Sequence, residues 1–345
     1  MAIPIFSSPF GLNPLLLLLT GFCVGTMSAF FGIGGGWLVT PAIHILGLPM
    51  PHAIGTSLVY IVFTSIAGTI RHRKLKNVSF PAGLIIGLSS IGGIFGGKQL
   101  IFFLEKRGSV DTWVRFFYLF LLTAVGIYML VSKRRGESLK PDIRKGAAIP
   151  PFINVPSVPL SRIRRTSDPK VLASGNRLSG APPVSPSRIR LSVPVLVLVG
   201  LAVGLLSSAM GVGGGFVLFP LLIYVVGLPV PLAIGTSLFS VLLTGLQGAA
   251  IYIAAQRVDP SGVFYMTITS VIGTYLGSLA TKRVDPERIK ALFAFTVLGG
   301  VIAVLFKQLQ FPHLDSIVIF SIAGLSTLVI LYTAYIRKRP ENRKK

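Results

Sequence analysis

Acidic residues are scarce in this chain, with 10 Asp and Glu among 345 residues and none before Glu105. Charged residues of both signs make up 12%, about half the roughly 25% of a soluble domain. Cation pumps and carboxylate proton relays place an Asp or Glu inside the membrane. All ten acids here fall in expected loops or at segment edges, which disfavours cation transport and leaves an anion or a neutral solute. Cys23 is the single cysteine, so an intramolecular disulfide and a thiolate metal cluster are both excluded. With four histidines and no Ser–His–Asp or metal-ligand spacing, no catalytic set is visible. The expectation is a non-enzyme without a cofactor. The opening MAIPIFSSPFGLNP carries no Lys or Arg, unlike the n-region of a secretory signal, so the first span is expected to be retained.

What is abundant is apolar: 52% of residues, with a mean hydropathy of +0.77. Eleven apolar segments are expected, at about 14–31, 36–47, 52–70, 80–104, 112–131, 193–210, 215–227, 231–255, 261–281, 287–306 and 314–336. Most approach the ~20 residues that cross a bilayer. The second and seventh are too short for a straight span, and each follows a triple glycine and contains a proline, Pro41 or Pro220. Positive charge is plentiful, for a net charge of +23. Thirteen of the 33 Lys and Arg lie between Lys133 and Arg190. That clustering beside spans fits the positive-inside rule and an anionic lipid surface as partner, and argues against nucleic acid. The 133–192 linker, with nine prolines, reads as disordered or loosely ordered, either a plain connection, a membrane-surface tether or a regulatory segment.

The chain repeats itself. GIGGGWLVTPAIHILGLPMPHAIGTSL (32–58) returns as GVGGGFVLFPLLIYVVGLPVPLAIGTSL (211–238). Residues 47–58 and 227–238 agree at ten of twelve positions. Gly32 aligns with Gly211, and after a one-residue insertion Gly55, Thr64, Gly68, Gly93 and Gly97 align with Gly235, Thr244, Gly248, Gly273 and Gly277. The expected units are repeats over 1–132 and 193–306, the linker over 133–192, and an extra helix and basic tail over 307–345. Basic RHRKLK (71–76) and the linker lie on one side, assigned as cytoplasmic. The equivalent 256–259 loop falls outside. The fold expected is therefore an all-α polytopic membrane protein of two inverted-topology repeats, broken at their glycine-rich motifs. The alternative, with short segments re-entering on one side, makes the repeats parallel.

A dinucleotide loop is excluded, because no strand precedes GIGGG and no acid follows at about 20 residues. In a membrane, a helix broken at Gly-x-Gly-Gly-Gly exposes amides and a positive helix end, which binds anions without a buried charge. Such glycines also serve close helix packing. The candidate substrate-binding set is Gly32, Gly34, Gly35, Gly36, Thr56 and Ser57 with Gly211, Gly213, Gly214, Gly215, Thr236 and Ser237. Gln247, Thr64 and Thr244 lie one to two turns further in. His44 and His52 are candidate proton carriers, Cys23 a candidate for a sulfur substrate, and Lys98 a snorkelling cation.

The doubled G-x-G-G-G and L-P-x-P-x-A-I-G-T-S pattern resembles the TauE/SafE family of sulfite exporter-like permeases, over about 15–131 and 193–306. The resemblance implies a bacterial or archaeal inner-membrane carrier of small sulfur anions such as sulfite, sulfoacetate or thiosulfate, usually for export. A non-transporting membrane scaffold and a permease for another small solute are the alternatives. The oligomeric state is not readable from the sequence.

Overall fold

The computed structural model describes residues 11–134, 152–156, 188–309 and 314–336. In chain order the first copy supplies α1 (Pro14–Phe31), α2 (Gly36–Ile45), α3 (Met50–Lys74), α4 (Phe80–Lys106) and α5 (Val110–Arg134). The second supplies α6 (Val193–Met210), α7 (Gly215–Tyr224), α8 (Val230–Ala254), α9 (Pro260–Arg283) and α10 (Pro286–Gln308). Then comes α11 (Leu314–Leu331), running into a π-turn at Tyr332–Ile336. Nine helices among the described residues are long and apolar enough to cross a membrane, and α2 and α7 are the short apolar ones. The protein is thus an all-α polytopic membrane protein, as expected. Large apolar side chains such as Phe120, Leu198 and Leu325 stand exposed on its flanks, where lipid replaces water and their exposure has no hydrophobic cost.

Local sequence explains the helix starts. Asn13 caps α1 by accepting the Leu15 amide at 2.9 Å, and Asp259 caps α9 by accepting the Gly262 amide at 3.0 Å. Pro14 and Pro260 occupy the first helical position, where no amide donor is needed.

The two copies interlock. A Cβ on Gly21 or Gly25 of α1 would strike the backbone of Met266 or Ser270 of α9. In return Gly273 and Gly277 of α9 lie against the backbone of Phe22 and Thr26. Residue numbers rise together, so α1 and α9 run parallel. Gly93 and Gly97 of α4 meet Leu201 and Leu205 of α6, while Gly200 and Gly204 meet Ile86 and Ser90, giving the matching parallel pair. Each copy thus lends its first helix to the fourth helix of the other, through glycines that let backbones touch. Between these pairs α3 packs against α8 in the opposite sense: Gly248 faces Leu58, Gly68 faces Leu238 and Gly235 meets the Asn77 backbone. The equivalent helices α3 and α8 therefore run antiparallel.

Much of the linker lies outside the described residues. Two short stretches of it differ from the loose connection expected: Phe152–Pro156 (β1) pairs antiparallel with Arg188–Ser192 (β2), with Ile153 opposite Leu191 and Val155 opposite Ile189. Alternating apolar residues in FINVP and RIRLS supply the two-residue period of a strand pair, too brief to stand out among prolines and arginines.

Candidate functional site

Both glycine motifs lie at the centre of the fold and are fully buried. The first three glycines of each adopt left-handed backbone: Gly32, Gly34 and Gly35 at φ of 79°, 72° and 90°, and Gly211, Gly213 and Gly214 at 69°, 65° and 72°. Only glycine takes such a run without strain. Gly32 ends α1, donating its amide to the Ser28 carbonyl at 2.8 Å, and Gly211 ends α6 on the Ser207 carbonyl at 2.9 Å. Gly35 and Gly214 then open α2 and α7 with no side-chain cap.

The two turns meet. A Cβ on Gly36 would lie 2.7 Å from the Gly211 carbonyl oxygen, and one on Gly215 would overlap the Ile33 carbonyl oxygen. The amino ends of α2 and α7 are thereby brought together. The amides of Gly36 and Trp37, and of Gly215 and Phe216, find no backbone acceptor among the described residues. Two positive helix ends face one buried region. Between the turns stand Ile61 and its counterpart Val241, whose methyls lie 3.1 and 3.0 Å from the position of a Gly213 Cβ.

The expected hydroxyls divide. Thr64 donates to the Gly34 carbonyl at 3.0 Å and Thr244 to the Gly213 carbonyl at 3.1 Å, so the pair holds the two turns. Ser57 shares its hydroxyl among the Gly211 carbonyl at 2.5 Å, Thr40 at 2.7 Å and the Ile54 carbonyl at 3.0 Å. Thr56 instead accepts the Asp259 amide, and Thr236 the Ser79 amide, both at 2.9 Å. They hold the next helix starts in place. Replacing Thr56 or Thr236 by Val strands a buried amide and is expected to cost about 1–3 kcal/mol, read as a lower midpoint in thermal or denaturant unfolding of purified protein. Ser237 is buried without a hydrogen-bond partner among the described residues.

Gln247 is engaged elsewhere, donating to the Gly87 carbonyl at 2.8 Å and accepting from Ser90 at 3.1 Å, both on α4. Cys23 is half-buried, and its carbonyl receives the Thr327 hydroxyl of α11 at 3.4 Å. His44 closes the far end of α2, with Nδ1 2.9 Å from the Leu48 carbonyl. It walls a cavity of about 20 Å³ with Arg115 and Tyr118, room for about one water.

Three buried serines escaped the sequence reading: Ser28, Ser65 and Ser207 have no hydrogen-bond partner among the described residues. A signal for two of them was present, since Ser28 and Ser207 occupy the same position of the repeat, four residues before each motif. Also missed were two staples. His72 Nε2 sits 2.9 Å from the Ala29 carbonyl, and at the equivalent position Tyr252 donates to the Ser208 carbonyl at 2.8 Å.

Among the described residues no group of three or more His, Cys, Asp or Glu could hold a metal. What the arrangement offers is uncharged: amides, hydroxyls and helix ends.

Comparison with known proteins bears on this geometry. A family profile described as Sulfite exporter TauE/SafE matches residues 17–305, covering both glycine motifs. A "Probable membrane transporter protein" of Methanocaldococcus jannaschii is 25% identical over 303 residues, spanning 82% of this chain and 92% of the relative. One from Haemophilus influenzae is 25% identical over 85% of this chain and 98% of its own length. One from Bacillus subtilis is 20% identical over 82% and 94%. No solved structure matches the chain.

Proposed function

Because the chain belongs to the sulfite exporter TauE/SafE family, we propose that this membrane transporter carries a small sulfur-containing anion, such as sulfite, thiosulfate or an organosulfonate, in the direction of export. The observation carrying the reading is the meeting of the α2 and α7 amino ends at the buried glycine turns, where neutral donors suit an anion. Gly32, Gly34, Gly35 and Gly36 with Gly211, Gly213, Gly214 and Gly215 form the cradle. A small oxyanionic cargo needs no buried cation there.

Transport by alternating access follows from two inverted copies around one central site. The antiparallel course of α3 and α8 supports the inversion. Orientation follows from charge: α3 and α9 end on one face with Arg71, Arg73, Lys74, Lys282 and Arg283, and Arg71 Nε reaches Ser278 at 3.4 Å across that face. That face is the cytoplasmic one of an inner membrane. The opposite face carries the Arg257–Glu105 ion pair at 2.7 Å and faces outward. Anionic lipid headgroups are the proposed partner of the linker's basic residues.

One observation favours the scaffold alternative: Thr56, Ser57, Thr236 and Ser237 are fully buried, so the centre is sealed. A carrier in an occluded state has the same appearance. Proteoliposome uptake of labelled sulfite, thiosulfate, sulfoacetate and sulfate, with and without a pH gradient, separates the two. Saturable, selective movement of one sulfur anion is expected. No movement of any of them by folded, inserted protein overturns the reading.

A further inference from the structure

We infer that the two glycine turns are unequal, and that the first is a cation-free oxyanion site built from the Ser28 and Ser65 hydroxyls and the Gly36 and Trp37 amides at the start of α2. The inference rests on the permease reading and says where its cargo is gripped.

Hydroxyls in apolar helices ordinarily bond back to the preceding turn. Thr20 does so to the Leu16 carbonyl at 2.6 Å, Thr26 to Phe22 at 2.9 Å and Ser240 to Thr236 at 3.0 Å. Ser28 and Ser65 do not, although both are 0% exposed. An unpaired buried hydroxyl is costly. Both sit at the first turn: the Ser65 oxygen is 3.4 Å from the position of a Gly34 Cβ, and the Ser28 Cβ is 3.6 Å from that of Gly35. They come from α1 and α3, on either side of the α2 amino end. Two hydroxyl donors and two amide donors suit the several oxygens of a sulfite- or sulfonate-type group.

The second turn lacks one of the two hydroxyls. It keeps Ser207 at the Ser28 position, but Gly245 stands where Ser65 stands in the first copy. Thr40, which with Ser57 holds the Gly211 carbonyl, is replaced by Phe219 on the other side. Between the turns Val241 and Ile61 fill the space, so the anion enters as these side chains withdraw.

Trp37 reports on the start of α2, because it is the second residue of that helix and 1% exposed, its ring packed against Gly300 of α10. The only other tryptophan, Trp113, is 60% exposed on the flank of α5. Full-length protein carrying Trp113→Phe, in lipid nanodiscs, is titrated with sulfite, with sulfate and with chloride while Trp37 emission is followed. A saturable change with an oxyanion and none with chloride is expected. Ser28→Ala and Ser65→Ala each raise the dissociation constant about tenfold, the scale of a lost hydrogen bond to a charged group, and Ser207→Ala changes it less than about twofold. Without anion, neither first-turn variant melts lower than its parent, since no protein partner is lost. A purely structural serine would show the reverse, lower melting with unchanged affinity, and that result overturns the site. Equal weakening by Ser207→Ala overturns the asymmetry. No titration in protein that still transports in vesicles removes the site and leaves the permease standing. Absence of both removes both.

Discussion

Alanine at Gly215 is expected to abolish transport while leaving the protein inserted in the membrane. Its Cβ would overlap the Ile33 carbonyl oxygen and lie 2.6 Å from the Ile33 carbonyl carbon. These are backbone atoms held in a left-handed turn, so no rotamer change relieves the clash and the two glycine turns must part. Overpacking of this kind costs about 1–3 kcal/mol. A displacement near 1 Å at a preorganised site can lower a rate by about a hundredfold. Gly36→Ala makes the mirror contact with Gly211, at 2.7 Å, but part of its clash is with the end of the Ile61 side chain, which can swing aside. The expected order of transport rates is therefore wild type, then Gly36→Ala, then Gly215→Ala. Initial uptake rates in proteoliposomes, with insertion checked by protease accessibility, give the answer. Wild-type rates in both variants would mean that the turns do not need to touch, and the central site would lose its basis.

The break at each motif was legible because triple glycine followed by a ten-residue apolar run admits few other forms. Segment ends were less so. The span expected at 52–70 runs from Met50 to Lys74, because the helix continues through Arg71, Arg73 and Lys74, whose long side chains reach out of the membrane. Partner choice was not legible. Gly21, Gly25, Gly273 and Gly277 announce close packing but not with what, and the exchange of α1 and α6 between copies depends on distant backbone meeting backbone. Nor could sequence divide the G-T-S triplets. Neighbouring residues on a helix point about 100° apart, so Thr56 reaches the Asp259 amide while Ser57 reaches the Gly211 carbonyl. Gln247 carried the right chemistry at the right depth, yet it faces α4. Ser28 and Ser207 could be found as a repeated position, but that they lack a partner among the described residues is a property of the packed structure alone.

Valine at Gly273 is expected to have the largest effect on stability. Even its Cβ would overlap the Phe22 carbonyl and lie 2.8 Å from the Thr26 nitrogen and 2.9 Å from its hydroxyl, and the branched methyls add to this. Moving α9 away to relieve the clash also breaks the Thr269 hydrogen bond to the Leu18 carbonyl, 2.6 Å long. It opens the neighbouring contact of Gly277 with Thr26 as well. A loss of about 3 kcal/mol or more is expected, seen as a sharply lower melting temperature or no recoverable folded protein. Gly324→Ala in α11 is the control: nothing lies within 4 Å of its Cβ, and alanine favours a helix, so stability should hold or rise. Equal stability of the two variants would mean that α1 and α9 are not in backbone contact. If Gly273→Val is destabilised as expected, α1 and α9 are in backbone contact, as Gly93, Gly97, Gly200 and Gly204 place α4 against α6. On the proposed alternating-access reading, the bodies that rock would then be not the two sequence copies but units exchanged between them, with hinges within each copy at Gly32–Gly35 and Gly211–Gly214, where α1 leads into α2 and α6 into α7.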